Sequence, residues 1–261
     1  MTCATSGVPL RGVTSGEPLG GVTSGVPLRR VTSDVPLRPG LRPGPVEADH
    51  GRMRVVPVSF ESLVEDLADR LASRESDTRI RVAVDGPDAA DPARLADALA
   101  DPLRVRGRPV VRVATSDFLR PASLRLEFGR TNPDSFYNGW FDEAGLTREL
   151  LVPAAPEGSG RVLTRLWDAG RDRSARQPYE ELPACAIVLV SGPLLLGSGL
   201  PFDVTVHLEL SAAALERRTA EDQRWTLPAF RRYADEVAPE TFADVVVRVD
   251  DPRRPAIVLE R

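Results

Sequence analysis

A candidate site for chemistry is the stretch of residues 85–94, DGPDAADPAR, which connects an apolar run to a segment with helical periodicity. A strand-to-helix turn of this kind can bind phosphate, because backbone amides and a helix N-terminus offer positive potential to an anion. The phosphate-binding pattern G-x-x-x-x-G-K-[ST] aligns with residues 86–93, and there only Gly86 matches it. Asp91 replaces the second glycine, Pro92 the lysine and Ala93 the magnesium-binding hydroxyl. The turn therefore has the place of a phosphate loop without the side chains that bind phosphate.

These replacements make residues 86–93 a degenerate phosphate loop, which also contains Asp88. They disfavour the binding of a nucleotide and favour the start of a helix. Proline has no backbone N–H, and alanine cannot ligate Mg²⁺. We expect Asp91 to be the N-cap of the next helix, with Pro92 at its first position. The chain contains no lysine, so no neighbouring lysine can substitute. Arg94 points about 200° away from the lysine position around the helix. The turn is predicted to be a former nucleotide loop converted to structure.

Histidine and cysteine predict no metal site and no catalytic triad. His50 lies in the N-terminal region, and His207 alternates with apolar neighbours in VTVHLEL, which is typical of a satisfied histidine in a sheet. Cys3 and Cys185 do not resemble a disulfide framework or a zinc site. The absence of a G-x-S-x-G elbow from the sequence disfavours an α/β-hydrolase.

A parallel α/β sheet is predicted to position the loop. Residues 61–74 place apolar side chains on one helical face. Short apolar runs then alternate with helical or loop segments, at residues 80–84, 110–114, 186–190, 204–208, 245–249 and 256–259. Continuous apolar strands that alternate with helices are typical of a parallel sheet covered on both faces. The arginines, aromatics, Gly and Pro of residues 118–183 predict a lid or acceptor insertion over the strand ends.

Residues 1–52 are predicted to be a disordered tail. Four copies of a nine-residue repeat begin at Thr5, the first of them TSGVPLRGV, and each copy carries a proline. Proline at this spacing breaks helices and strands, and the few apolar residues cannot build a core. The repeat is either a docking tail or a dispensable extension before a start at Met53, so the folded domain is expected over residues 53–261.

The composition disfavours two classes of partner. The formal charge of −4 and the pI of about 5.4 give no overall basic surface for nucleic acid. No apolar run approaches the roughly 18 residues that span a bilayer, and no hydrophobic signal core begins the chain. The sparse cysteines fit a reducing compartment. We expect a cytoplasmic protein that binds neither nucleic acid nor membrane.

Several segments, taken in order, resemble the uridine kinase-like branch of the P-loop nucleoside kinases. They are TSDFLRP at 115–121, GRTNPDSFYNGWFDEAGLTREL at 129–150, AIVLVSGPLLL at 186–196, FDVTVHLELSAAALERR at 202–218 and FRRYADEVAPETFADVVV at 230–247. The resemblance covers about residues 55–257 and is weakest at the degenerate loop. It implies an α/β, three-layer, parallel-sheet P-loop NTPase-like fold. ATP and Mg²⁺ are implied as cofactors only if the family's activity is retained.

The resemblance also gives roles to individual residues. Asp117 matches the acidic residue that activates the acceptor hydroxyl, so it is the candidate general base, or else it caps its own segment. Four residues of this chain match the family's acceptor region. The aromatic residues near them belong either to a ligand pocket or to the core. These four are Arg125, Arg130, Tyr137 and Asp142.

Two further parts of the family's site are altered or ambiguous. Its lid arginines match Arg217, Arg218 and Arg224, which either contact phosphate or form a solvated helical face. The acidic residue that precedes a glycine after the third strand is replaced by Ser191 in this chain. A second carboxylate on the magnesium side is therefore missing.

Two functions remain open. In the first, the chain is a uridine kinase-like protein with lost or strongly reduced ATP-dependent nucleoside phosphorylation, which acts by binding a nucleoside, nucleotide or other partner. In the second, it is an active kinase for uridine, another nucleoside or a small hydroxyl compound, with Asp117 as general base. Charge-assisted phosphate contacts contribute about 1.5–3 kcal/mol each. Losing several of them removes most of a micromolar affinity of about 8 kcal/mol, which favours the first function.

Overall fold

The alternating apolar and amphipathic segments fold into a mostly parallel seven-stranded sheet with helices on both faces. The structure is a computed structural model that describes residues 54–74 and 77–259. The predicted disordered tail over residues 1–52 lies outside the described residues.

The described chain contains both long and very short elements. The strands are β1 (Arg54–Pro57), β2 (Ile80–Asp85), β3 (Val110–Ala114), β4 (Arg161–Val162), β5 (Trp167–Asp168), β6 (Arg173–Ser174), β7 (Glu180–Glu181), β8 (Ile187–Gly192), β9 (Val204–Glu209), β10 (Val245–Arg248) and β11 (Ala256–Leu259). The α-helices are α1 (Phe60–Ala72), α2 (Pro92–Val105), α3 (Ala122–Arg125), α4 (Pro133–Gly139), α5 (Glu143–Leu146), α6 (Ala212–Arg218) and α7 (Leu227–Glu236). Within residues 54–74 and 77–259, no helix is both long enough and apolar enough to span a bilayer.

The main sheet has the strand order β1-β11-β10-β9-β2-β8-β3. The five strands from β10 to β3 pair in parallel, as the apolar runs predict. The predicted parallel α/β sheet is confirmed, and β11 adds to it a strand that runs antiparallel to β10. The connection between them spans only residues 249–255, and a parallel crossover needs about a dozen residues or more. β1, which the sequence did not predict, pairs antiparallel with β11 at the edge.

One layer of the core lies between the sheet and the pair α1 and α2. α1 begins after Ser59, whose hydroxyl accepts the N–H of Ser62 at 3.1 Å. Val82 and Val84 of β2 point into this layer. The leucines that α1 and α2 bury there are Leu63, Leu67, Leu71, Leu95, Leu99 and Leu103. This packing holds the first turn of α2 at the end of β2.

The second core layer comes largely from the segment between β3 and β8. Ala83 and Val113 face it from the sheet. The insertion buries Leu146, Leu150, Leu151, Ala154, Val162 and Leu182. We expected the insertion over the strand ends, and the structure places much of it against a face of the sheet, where its apolar side chains leave water. Its role as a lid stays a prediction.

Arg108 joins four segments at the amino end of the sheet. Its side chain is 1% exposed. Nε donates to the carbonyl of Cys185 at 2.8 Å, and the terminal nitrogens donate to those of Arg74 at 2.9 Å and Thr78 at 2.8 Å. Burial lowers the pKa of the Arg108 guanidinium. The contacts tie the end of α1 to the starts of β2, β3 and β8.

We predict that Arg108→Met lowers the free energy of unfolding by about 3 kcal/mol or more, since each buried carbonyl left without a donor costs about 1–3 kcal/mol. Urea unfolding followed by circular dichroism measures the change. Arg104→Met is the matched control, because the exposed pair of Arg104 with Asp101 is worth at most about 1 kcal/mol. Equal losses in the two variants would contradict the structural role of Arg108.

Candidate functional site

The carboxyl ends of the parallel strands meet at one edge, where α/β proteins bind their ligands. β2 ends there in Asp85, which is fully buried. Its Oδ1 accepts the N–H of Leu195 at 2.9 Å, while Oδ2 lies 2.7 Å from Nδ1 of His207 and 3.2 Å from the hydroxyl of Tyr233. A buried carboxylate is costly unless donors of this kind surround it. Asp85 therefore ties β2 to β9, α7 and the segment after β8.

Tyr233 and His207 each contribute a defined contact to the hydrogen-bond network around Asp85. Burial and, next, the negative charge of Asp85 raise the pKa of Tyr233, so its hydroxyl stays protonated. That hydroxyl accepts the N–H of Leu196 at 2.9 Å and lies within donating distance of Asp85. The contact of Nδ1 with Asp85 Oδ2 fixes the orientation of the His207 ring. The second ring nitrogen, Nε2, is left for another partner.

The turn after Asp85 uses its own backbone amides. Residues Asp88–Ala90 form a 3-10 turn, in which the N–H of Ala90 donates to the carbonyl of Pro87 at 2.7 Å. Asp91 follows in the left-handed region, at φ 58°, and its Oδ1 accepts the N–H of Arg94 at 3.1 Å. Pro92 is the first residue of α2. The prediction that Asp91 and Pro92 form a self-capped helix start is confirmed.

The charges of the turn disfavour an anion. Loss of hydration around the carboxyl group and, to a smaller extent, the negative charge of Asp91 raise the pKa of Asp88. The guanidinium of Arg94 lies 4.1 Å from the centre of the Phe60 ring on α1, as expected from its position on the helix. Two acidic side chains, Asp88 and Asp91, therefore lie at the start of α2, and Arg94 is directed to the neighbouring helix.

The segment after β8 closes the strand ends with apolar side chains. Gly86 donates its N–H to the carbonyl of Gly192 at 3.2 Å, which joins the ends of β2 and β8. Gly192 has φ +146°, and a Cβ at this position would collide with the side chain of Thr115. The buried residues that follow are Leu194, Leu195 and Leu196. Because the backbones approach closely at Gly86 and Gly192, the leucines can cover the carboxyl edge of the sheet.

A small cavity remains between this leucine segment and the insertion. Its volume is about 10 Å³, and its walls include Phe118, Phe141, Leu146 and Leu194. A single water molecule needs roughly 10–15 Å³. The cavity in this conformation therefore admits at most one water molecule.

Asp117 sits in the 3-10 turn Thr115–Phe118, directly after β3. Its Oδ2 accepts the N–H of Ala114 at 3.1 Å, and its Oδ1 lies 3.1 Å from Nε of Arg165. The side chain keeps 25% of its surface exposed. Both oxygens of the carboxylate thus hold local structure together, as a capping residue does.

Comparison with known proteins identifies the fold. No protein-family model and no curated protein sequence matches the chain. The structure of a candidate uridine kinase from Bacillus stearothermophilus is similar, with a TM-score of 0.59 and 19% identity, over 72% of this chain and 98% of that one. A candidate fructose transport system kinase from Silicibacter sp. TM1040 is similar with a TM-score of 0.50 and 26% identity, over 70% of this chain and 93% of that one. The chain has the P-loop kinase fold.

Two of the acceptor residues predicted for this kinase fold differ in burial. Arg125 is buried, donates from Nε to the carbonyl of Arg120 at 2.7 Å and lies over the ring of Trp140 at 5.1 Å. Arg130 is exposed. The guanidinium of Arg125 is thus engaged inside the insertion.

The other two predicted acceptor residues contact different elements. The hydroxyl of Tyr137 lies 3.3 Å from Glu236 on α7, and its ring lies 4.3 Å from the guanidinium carbon of Arg232. Asp142 caps α5 by accepting the N–H of Gly145 at 2.8 Å. Each of the four residues has its own surroundings, and their role in binding an acceptor stays a prediction.

The aromatic residues near the predicted acceptor region form a cluster around Phe136. Its ring meets its neighbours edge to face, at centroid distances of 5.4–6.0 Å. Those neighbours are Trp140, Phe141, Trp225 and Phe230. Of the two alternatives left open for the insertion's aromatic residues, this arrangement favours the core.

The predicted lid arginines lie at the end of α6 and in the turn that follows. Arg217 and Arg224 are exposed, whereas Arg218 donates to the carbonyl of Val249 at 2.5 Å. Their contact with phosphate stays a prediction. Among residues 54–74 and 77–259, no group of three or more His, Cys, Asp or Glu side chains is arranged to hold a metal ion.

Sequence reasoning missed the centre of this edge. It predicted a satisfied sheet histidine at His207, and the structure shows a partner for Nδ1 in Asp85; it gave no role to Asp85 or Tyr233. The available signal was that both Asp85 and His207 occur within apolar runs that form strands. Placing them side by side requires the strand order, in which β2 and β9 are neighbours.

We predict that Asp85→Ala lowers the free energy of unfolding by about 3 kcal/mol or more, because the groups around Leu195, His207 and Tyr233 lose their shared acceptor. Chemical denaturation measures the loss. Asp101→Ala on α2, whose side chain is 89% exposed, is the control and should change stability by about 0.5 kcal/mol or less. A loss below about 1 kcal/mol for Asp85→Ala would rule out the network as a determinant of stability.

Proposed function

We propose that this protein is a uridine kinase-like member of the P-loop kinase fold that has lost, or retains only weakly, ATP-dependent phosphorylation of a nucleoside. It acts instead as a cytoplasmic protein that binds a small molecule, such as a nucleoside or nucleotide, or regulates a partner. The fold supports descent from a kinase, and the degenerate phosphate loop supports the loss of phosphorylation.

One observation carries this proposal. The carboxylate of Asp91 accepts the N–H of Arg94 in the first turn of α2, at the helix N-terminus that would otherwise attract an anion. A phosphate at this position would displace that hydrogen bond and approach the negative charges of Asp88 and Asp91. The side chains present therefore do not fit ATP with Mg²⁺.

The surrounding groups offer no compensation for the lost lysine. The chain has no lysine, and Arg94 stacks on Phe60. Ala93 has no oxygen with which to ligate Mg²⁺, and Ser191 stands where the family has a carboxylate. Several charge-assisted contacts of about 1.5–3 kcal/mol each are thereby lost.

The acceptor side supports the same proposal. Asp117 is already bonded to Ala114 and Arg165, so abstraction of a proton from an acceptor would compete with both contacts. The cavity of about 10 Å³, which Thr115 and Phe118 of the same turn line, would have to open widely to admit a nucleoside. An active kinase would require release of Asp117 from these contacts, opening of the cavity and a new cation at the phosphate loop.

We predict that isothermal titration calorimetry of the full chain with ATP and Mg²⁺ gives no binding tighter than a Kd of about 1 mM. A coupled assay should detect no uridine-dependent release of ADP. Sub-millimolar binding together with nucleoside-dependent turnover would overturn the proposal and establish the active-kinase alternative.

Restoring the loop tests its interpretation directly. We predict that the triple variant Asp91→Gly, Pro92→Lys, Ala93→Thr binds ATP with Mg²⁺ at least about tenfold more tightly than the native chain. Glycine is compatible with the left-handed backbone at position 91, which is at φ 58° in the native chain. The same calorimetric titration measures the gain.

The matched control places the same three residue types at another helix start. Ser211 caps α6 through the N–H of Ala214, so Ser211→Gly, Ala212→Lys, Ala213→Thr repeats the change away from the loop. This control should bind ATP no better than the native chain. If a folded loop variant, judged by its melting temperature, also shows no gain, the loop is not a former phosphate site.

A further inference from the structure

A larger cavity lies at the carboxyl end of β9, on the side of Asp85 occupied by α6 and α7. Its volume is about 210 Å³. Leu208, Leu215, Phe230 and Pro239 give it largely apolar walls. A cavity of about 150 Å³ can hold benzene, whereas sites for drug-sized ligands begin at about 300 Å³. The space therefore suits one six-membered ring with small substituents.

His207 is the polar group deep in this cavity. Its side chain is only 8% exposed, and Nδ1 is fixed by the contact of 2.7 Å with Asp85. Within residues 54–74 and 77–259, Nε2 has no hydrogen-bond partner. Tyr233, which also lines the cavity, already exchanges hydrogen bonds with Asp85 and Leu196. Nε2 of His207 is therefore the ring atom left to form a hydrogen bond with a ligand in the cavity.

The rim of the cavity sets the charge of that ligand. Glu209 and Glu240 supply carboxylates, and Arg231 supplies a cation. One oxygen of Glu209 is bound to Arg248 at 2.9 Å, which neutralises much of its charge. The rim therefore has little net charge with which to attract an ion. The polar lining combines carboxylate acceptors with the guanidinium donors of Arg231, so a neutral molecule whose hydroxyl groups both donate and accept satisfies the site best.

We propose that the cavity beside His207 binds a neutral polyhydroxylated ring of monosaccharide size, with one ligand hydroxyl hydrogen-bonded to Nε2 of His207. Its apolar face packs against Phe230, and its remaining hydroxyls meet the carboxylates of the rim. This inference goes beyond the proposed function, because it requires neither binding nor loss of binding of ATP.

The two histidines of the chain make the site observable. In the full chain labelled with ¹⁵N-histidine, titration with D-glucose, D-ribose or myo-inositol up to about 50 mM should shift the Nε2 resonance of His207 saturably. His50 serves as the internal reference and should not move. Charged analogues of glucose, namely glucosamine and glucuronate, should bind more weakly than glucose.

Neighbouring alanines on α6 provide matched variants. Ala212 lines the cavity whereas Ala213 is exposed and does not, so Ala212→Leu fills the space and Ala213→Leu leaves it open. We expect Ala212→Leu to weaken the best sugar at least about tenfold and Ala213→Leu to leave its affinity unchanged. Both changes are at exposed positions and keep the contact between His207 and Asp85.

The outcomes separate this site from nonspecific effects. A saturable shift of His207 that Ala212→Leu removes supports the proposal. If none of the three neutral compounds shifts His207, or if His50 shifts equally, the proposal is wrong. Tighter binding of glucosamine or glucuronate than of glucose would overturn the neutral ligand class.

Discussion

The fully buried carboxylate of Asp85 constrains the whole carboxyl edge of the sheet. Removing such a charge from water costs several kcal/mol, so the folded state must surround it with donors. These donors are the backbone of Leu195 and the side chains of His207 and Tyr233, which come from three separate segments. Displacement of any one of the three removes a hydrogen-bond partner from the Asp85 carboxylate. The strand end at which related folds bind ligands is thereby held by the protein's own groups.

Sequence patterns predicted those parts of the structure that depend on local interactions. The five parallel strands follow from continuous apolar runs, and the helix start at Asp91 follows from capping chemistry and an adjacent proline. The pairing of Asp85 with His207 spans 122 positions and depends on strand order, so no local pattern contains it. The direction of β11 was predictable in principle, because residues 249–255 are too short for a parallel crossover.

The insertion shows why aromatic residues mislead a prediction of function. A run of aromatic residues near arginines is suited to stacking on a base, and the sequence cannot distinguish that use from packing. In the structure Phe136 meets four aromatic rings edge to face, and Arg125 covers Trp140. Aromatic pairs contribute about 0.5–1.5 kcal/mol beyond the area they bury. These rings stabilise a segment that has only short helices and two-residue strands of its own.

The proposed loss of phosphate binding and the leucine cover over the strand ends depend on different physical contacts in this chain. The loop depends on local changes, since Asp91 and Pro92 determine how α2 begins. The leucines after β8 are held by Asp85 and Tyr233, through contacts between distant segments. A change that lets the loop accept phosphate leaves those long-range contacts intact. Under the proposed function, affinity for a nucleotide can therefore return without turnover, because Leu194 and Phe118 still wall a cavity of only about 10 Å³ at the strand ends.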